Sequence, residues 1–557
     1  MNIRYLGVNY FFWVLLLGMD NKTKDSDMKF LDKFYLNIGL KSLIVFSVVY
    51  SFMFFSFIWG NHDWEYLTRQ IKVYDNFFEA RFTVHLFNLL FTEGYVLPIL
   101  GFVWALVGLV VLGIVILSYF EVPKNKCSNI MILLLLGVFS YNFVVFYYLF
   151  LVVPFYWWAA LGVGFLFWAE PPFKKWKIAV GGLGYFLLLG CYPPNIALVL
   201  CVFVGKKIFD YVFRNKEFRE IFYSFLMFGL QLIVGGILFK ILLTVVGFDN
   251  ERMYNVRTLA IGDVLRNIPK ELVYSVVNLF KLKGELGYSG VAFLVGVIGG
   301  GCFCVIKKAK NKFVVVGMVL ALLMCSRFMF LVSREGQLAF FRGGYWGVLG
   351  LVVWGMCAFG FEKNNLVKNL FFAFSVVFLM VFIIRDFEIQ KTRKLMFDAE
   401  IKFKERVKTR VVSDKAFSYN NDYVSLILGS YDFFEHFCFD GCKGYSNEIL
   451  ASVSMSGDFI PLLFFDDEKY PVTIKLGAWD RLIWHINDGR FVKYRGVLQG
   501  INKEDVNNIK SFMYYNEKEW PSKESVFVDD KHIFVMFRGG RENIYLVAPK
   551  LLDFLGN

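Results

Sequence analysis

Between the first two long apolar runs the chain reads NHDWEYLTRQIKVYDNFFEARFTVHLFNLLFTE, from Asn61 to Glu93, and it is dense in acids, bases and aromatics. Its carboxylates Asp63, Glu65, Asp75 and Glu79 are candidates for a general base, with Asp63, Glu65 and Glu79 the catalytic set. Its cations Arg69, Lys72 and Arg81, together with His62, are of the type that holds a phosphate. On the outer face of a membrane such a stretch is costly to keep unless it does chemistry.

Asp63 follows the first apolar run by a few residues, which sets it at the expected membrane–water boundary. A carboxylate there stays near the headgroup plane and still meets water. That is the position needed to deprotonate a sugar hydroxyl as it attacks a lipid-linked phosphosugar. The alternative is a solvated acid that anchors the helix end beside Trp59 and Trp64. Glu79, Ala80 and Arg81 then lead into FTVHLFNLLF, whose periodicity fits a helix lying on the membrane surface. Arg81 either positions a phosphate or sugar or belongs to a solvated face, and His85 reads as a packed histidine.

Two charges fall inside apolar runs: Lys240 in GGILFKILLTVVG and Arg327 in LLMCSRFMFLVS. Such charges face a bundle cavity with a partner, or snorkel to the headgroups. Lys240 stands roughly 13 Å before Asp249 at helical rise. Arg327 and Arg334 are spaced to share a helical face. With Arg342 they form a set able to gather a donor phosphate.

The elements that must position these residues follow from composition. The chain has 557 residues, 57% of them hydrophobic and 19% aromatic, with mean hydropathy +0.51. The apolar excess lies in runs of about 17–25 residues, the length of a helical crossing of hydrocarbon. The reading is a polytopic α-helical membrane protein with about eleven spans, the first at Lys41–Trp59 and the last at Leu366–Ile384. Residues 1–40 form a cytoplasmic or interfacial segment and 41–385 the membrane core, with outer loops at 60–95 and 247–289. Residues 386–557 form an exoplasmic soluble α+β domain, opening on a helix and continuing into strands such as YVSLILG, YPVTIKLG and NIYLVAP.

The net charge of +13 does not indicate a nucleic-acid partner. The basic residues sit in short clusters between apolar runs, as at Lys206, Lys207, Arg214, Lys216 and Arg219, and read as topology signals. Most of the nine cysteines lie in or beside apolar runs as small hydrophobes. Cys438 and Cys442 instead sit in the tail as HFCFDGC. An exoplasmic location makes them a local disulfide, whereas a zinc site with His436 would need further ligands. The chain has no GxxxxGK[ST], HExxH or GxSxG, and no DxD in an outer loop. The expectation is therefore an enzyme with no soluble nucleotide sugar, no cofactor and no divalent metal.

This arrangement resembles the GT-C glycosyltransferase superfamily, and within it the bacterial and phage O-antigen glucosyltransferase (Gtr) type. Four stretches carry the resemblance: His62-Asp63 with Ala80-Arg81; the aromatic run Ser140–Gly162; GCYPPNIALVL with Tyr192; and Phe387–Val407 after the last span. His62, Ala80 and Pro193 stand where the family has an acid, a glycine and a glutamine, which leaves Asp63 as the match to the acidic pair. The resemblance implies a polyprenyl-phosphate donor of glucose or another hexose. It implies a lipid-linked or surface glycan acceptor such as O-antigen, and a bacterial inner membrane with the site facing the periplasm. Two alternatives are a transporter or flippase of lipid-linked glycan and an O-antigen polymerase-like enzyme.

Overall fold

A computed structural model describes residues 33–51, 82–83, 98–144, 153–191, 195–245, 261–281, 283–328, 345–419, 422–428, 473–477, 522, 525–530 and 532–536. These residues are mostly helical. Contacts divide the chain into two compact units, one taking in Met1–Phe57, Lys72–Gln390 and Gly444–Ile449, the other Ile58–Ile71, Lys391–Lys443 and Leu450–Asn557.

The helices, in chain order, are α1 (Lys33–Val49), α2 (Pro98–Phe120), α3 (Lys126–Val144), α4 (Val153–Phe165), α5 (Trp176–Leu189) and α6 (Asn195–Phe213). They continue as α7 (Phe218–Val245), α8 (Ile261–Lys281), α9 (Lys283–Lys308), α10 (Lys312–Ser326), α11 (Tyr345–Gly360) and α12 (Asn365–Val412). Each run read as a span overlaps one of these helices, though Lys41–Trp59, Ile130–Leu149 and Phe313–Val332 run on beyond the described residues. Among the described residues, four segments are long and apolar enough to cross a membrane: Val103–Phe120, Phe218–Val245, Tyr288–Lys308 and Asn365–Glu388. Shorter apolar helices accompany them, including Trp176–Leu189, Lys312–Ser326 and Tyr345–Gly360.

The first unit is built around α6, which is buried along nearly its whole length. It packs against α2, α4, α10 and α11. The side chains that fill this centre are large and apolar, with the Phe209 ring stacked on Trp354 and Phe203 stacked on Phe228. Burial of that kind favours the fold by about 25 cal/mol per Å² of apolar surface.

Where α2, α6, α9 and α11 end, charged residues gather; this is the ionic end. Lys206 and Lys207 are 2% and 1% exposed, and the Asp210 side chain is fully enclosed. Lys206 pairs with Glu121 at 2.7 Å and with Asp210 at 3.4 Å; Lys207 pairs with Glu170, which accepts a second hydrogen bond from Tyr119. Arg214 pairs with Asp210 and Glu121, and Lys216 reaches Asp210 at 3.2 Å. Lysines read from sequence as topology signals are thus, in this cluster, the inner half of an ion network. Beside it Lys308 meets Glu362 at 3.1 Å. The opposite end, where α5 and α10 finish and α6 and α11 begin, is the aromatic end.

One element departs from the expected outer loop at 247–289. Ile261–Lys281 forms α8, and the chain re-enters helix at Lys283. Glu271 and Ser275 lie on its buried face, while Val273, Val276 and Val277 are exposed. It packs against α10 and α9. The helical period is present in ELVYSVV and was hidden by Pro269 and the polar residues around it.

The second unit contains a four-stranded sheet of order β2-β1-β4-β3. Its strands are β1 (Asp422–Leu428), β2 (Thr473–Gly477), β3 (Val526–Val528) and β4 (His532–Met536). β1 pairs parallel with β2 and with β4, and β3 closes antiparallel on β4, Phe527 opposite Phe534. In the same unit Phe403, Val407 and Val411 are buried at helical spacing, and Arg410 donates to the Ser522 carbonyl at 2.6 Å. The runs YVSLILG and YPVTIKLG contain β1 and β2; NIYLVAP lies outside the described residues.

Candidate functional site at the aromatic end

The last turn of α5 fixes the first part of the site. Thr83, two residues after Arg81 in the chain, donates its backbone N–H to the Gly190 carbonyl at 3.0 Å. Its hydroxyl donates to the Leu187 carbonyl at 2.8 Å. Helix carbonyls at a C-terminus lack partners within the helix, so Thr83 satisfies groups that α5 leaves open. The Phe82 ring lies 4.9 Å from Phe186 and 6.3 Å from Phe239. A Cβ on Gly190 would fall 2.1 Å from the Phe82 ring, so glycine there is what admits the aromatic. The chain neighbours of Arg81 and Lys240, Phe82 and Phe239, therefore meet at Gly190, two positions before Tyr192.

Next to it, α4, α6 and α11 contribute their first turns. Tyr156, Asn195 and Tyr345 are 0%, 0% and 1% exposed. Trp346 lies 5.8 Å from the Tyr156 ring and 5.5 Å from Tyr345. The buried Cys201 thiol is 3.7 Å from the Gly347 carbonyl, which ties α6 to α11. Helix starts carry unsatisfied N–H groups and the positive end of the dipole, which favours anions.

The end of α10 adds the charge. At Gly347 an added Cβ would sit 2.0 Å from the Ser326 carbonyl, a close approach that brings Ser326 and Arg327 against the start of α11. Arg327 is the C-cap of α10, where a cation is favoured by the dipole, and is not inside the helix as its sequence context suggested. Its Nε and Nη2 donate to Glu271 Oε2 at 3.0 and 2.9 Å, and both residues are 8% exposed. Its guanidinium thus already has a carboxylate from α8, an arrangement a phosphate would have to share or displace. Lys240 is exposed on α7 and is not enclosed in the bundle, in keeping with a snorkelling side chain.

Gln390, in the fourth stretch of the resemblance, is fully buried and donates to the Val49 carbonyl at 3.4 Å. That joins α12 to the end of α1, the helix that leads toward the Asn61–Glu93 stretch. Asp386, one turn earlier, is also fully buried.

Asp63, Glu65, Glu79, His62, Arg69, Arg81, Tyr192, Arg334, Arg342, Cys438 and Cys442 lie outside the described residues. Of the site residues expected from sequence, Lys240 and Arg327 are described. Sequence reasoning missed Thr83, Tyr156, Asn195, Glu271 and Tyr345. Glu271 carried a signal, a carboxylate on the polar side of an amphipathic period, and Asn195 follows a Pro-Pro pair at a helix start. Among the described residues no group of three or more His, Cys, Asp or Glu side chains gathers to hold a metal ion. No family model, curated protein or solved structure matches the chain.

Proposed function

We propose that the protein is a membrane glycosyltransferase that moves a hexose from a polyprenyl-phosphate donor to a lipid-linked or surface glycan, on the outer side of a bacterial inner membrane. In this reading the membrane core has about eleven spans, the length rule for apolar helices setting that number. The N-terminus is cytoplasmic and the tail periplasmic, and the architecture is of the GT-C kind. The observation that carries it is the meeting of Phe82–Thr83, Gly190 and Phe239. Those contacts join the chain neighbours of Arg81, Tyr192 and Lys240, drawn from three distant parts of the sequence, at one end of the bundle. Buried hydroxyl and amide groups and helix starts stand beside them, which suits a sugar and its phosphate.

Asp63 acts as the general base on the acceptor hydroxyl, with Glu65 and Glu79 the other acids of the loop. A positioned carboxylate of this kind is worth about 10²–10⁴-fold in rate. The departing polyprenyl phosphate is already a stable anion, so cations matter more than an acid at that side, a role for Arg81, Arg327 and Arg334. The test supplies purified protein with a labelled polyprenyl-phosphate sugar and a glycan acceptor. Wild type transfers the sugar, and Asp63→Asn keeps its fold and loses at least about 10²-fold in turnover. Vectorial movement of lipid-linked glycan without transfer would make the protein a flippase, and joining of whole glycan units would make it a polymerase.

A further inference from the structure

At the ionic end of α5 and α7 lies a surface that the site above does not use. Here Trp176 is 47% exposed and Phe222 57%, far from the apolar interior that such rings usually occupy. The Phe173 ring stands 6.0 Å from Tyr223, and the Arg219 guanidinium lies 5.6 Å from the Tyr223 ring. Lys174 and Lys175 are exposed on the turn that carries Phe173. The two helices are locked together here, Gln231 donating to the Lys177 carbonyl at 3.0 Å.

The helical period orders the rest. With 3.6 residues per turn, Arg219, Phe222 and Tyr223 fall on one face of α7, in line with Leu226, Ile233, Ile237 and Ile241. All of these are exposed. Glu220, about 100° round the helix from Arg219, is exposed at the edge of this face, and its carbonyl accepts from the hydroxyl of the buried Ser224 at 3.2 Å. A head of three cations and four aromatics (Phe173, Trp176, Phe222 and Tyr223), with Glu220 at its edge, therefore sits at one end of an apolar stripe running along α7.

We propose that this face binds an anionic phospholipid, its headgroup phosphate on Lys174, Lys175 and Arg219 and its acyl chains along the α7 stripe. The shape of the surface is that of the ligand: charge complementarity at one end, continuity with apolar surface for the rest. Aromatic rings at headgroup level hold both ends of such a contact, as their amphipathic character allows. Each basic residue near an anionic lipid surface is worth a factor of about five in binding.

The experiment offers the full-length protein in detergent equal amounts of phosphatidylglycerol and phosphatidylcholine with the same acyl chains, and counts bound lipid by native mass spectrometry. Wild type should prefer phosphatidylglycerol by roughly ten-fold or more. Lys174→Gln/Lys175→Gln/Arg219→Gln should lose that preference, while Lys310→Gln/Lys312→Gln/Lys368→Gln, with the same loss of charge elsewhere, should keep it. Equal binding of the two lipids by wild type, retention of preference in the first triple variant, or equal loss in both would overturn the proposal. If the first triple variant unfolds, wild type decides alone: its preference must collapse when salt rises from about 0.05 to about 0.5 M, which shortens the screening length several-fold. A preference indifferent to salt overturns the proposal equally.

Discussion

Where α2, α6 and α11 terminate, the buried Lys206, Lys207 and Asp210 are matched in an ion network that the partly exposed Glu170, Arg214 and Lys216 and the exposed Glu121 complete. Where α6 and α11 begin, the buried polar groups are neutral, Tyr156, Asn195 and Tyr345, with charge confined in the described contacts to the Arg327–Glu271 pair. The first arrangement fixes helix ends: Asp210 is enclosed and held by Lys206, Arg214 and Lys216, and has little capacity left for a ligand. The second keeps hydroxyl and amide groups beside helix starts, which can exchange partners at modest cost because no bare ion is left behind. Rigid charge and exchangeable polarity thus occupy opposite ends of one helical unit.

That contrast is broken most forcefully at Asp210. Asp210→Asn leaves Lys206 and Lys207 buried with less compensation and should cost about 3–5 kcal/mol, read from denaturant unfolding in detergent. The activity per folded molecule should be unchanged; a selective loss of transfer would mean that the ionic end takes part in the reaction. At the other end, Arg327→Met, Glu271→Met and the double variant should give a coupling energy of about 1–3 kcal/mol. A coupling near zero would show that the pair already exchanges with another partner. Thr83→Val removes one hydrogen bond to the end of α5 and should cost about 1 kcal/mol in stability. If the Gly190 junction belongs to the site, its effect on sugar transfer should be larger than that loss implies.

The smallest effect separates the ends by pH. Partial burial pushes the Glu362 carboxyl up, but the Asn364 N–H, Lys308 and the Lys363 N–H outweigh it and hold the group below its ordinary range. A carboxyl with a depressed pKa in the folded state contributes stability above its unfolded pKa and loses it as pH falls through the folded value. Stability should therefore drop in acid below the usual carboxylate range, and Glu362→Gln should flatten that part of the profile. An unchanged acid limb in Glu362→Gln would remove Glu362 from the account.

The helices were legible because an apolar run long enough to bury a helix is a property of local composition, and each such run overlaps one of α1–α7 or α9–α12. The ion network was not. Lys206 and Lys207 meet Glu121 and Glu170 across 85 and 37 residues of chain, and a lysine between apolar runs reads locally as a solvated loop charge. α8 was read as loop because its period is amphipathic and interrupted by Pro269. In the second unit β1 and β2 stood out as apolar runs bounded by turn residues. The β3–β4 hairpin, VFVDDKHIFVM, carried the same signal in shorter strands and was passed over. At the site, Arg327 and Lys240 stood out as charges in apolar company. Thr83, Tyr156 and Asn195 are ordinary polar residues whose importance lies in what distant segments bring to them.

The close pairing of α5 and α7 has a consequence for the bilayer itself. α5 has 14 residues and α7 has 28, which at helical rise makes them about 21 and about 42 Å long. A hydrocarbon core about 30 Å thick matches neither, and two helices bonded side by side cannot each find their own depth. α7 carries most of its surface toward its surroundings, so it is the one that must tilt. Were α7 to cross a bilayer, acyl-chain length would set its angle: thicker bilayers would stand it upright and thinner ones would lay it over. Phe239, near the far end of α7, would move with that angle, and with it the contact between Phe239 and Phe82.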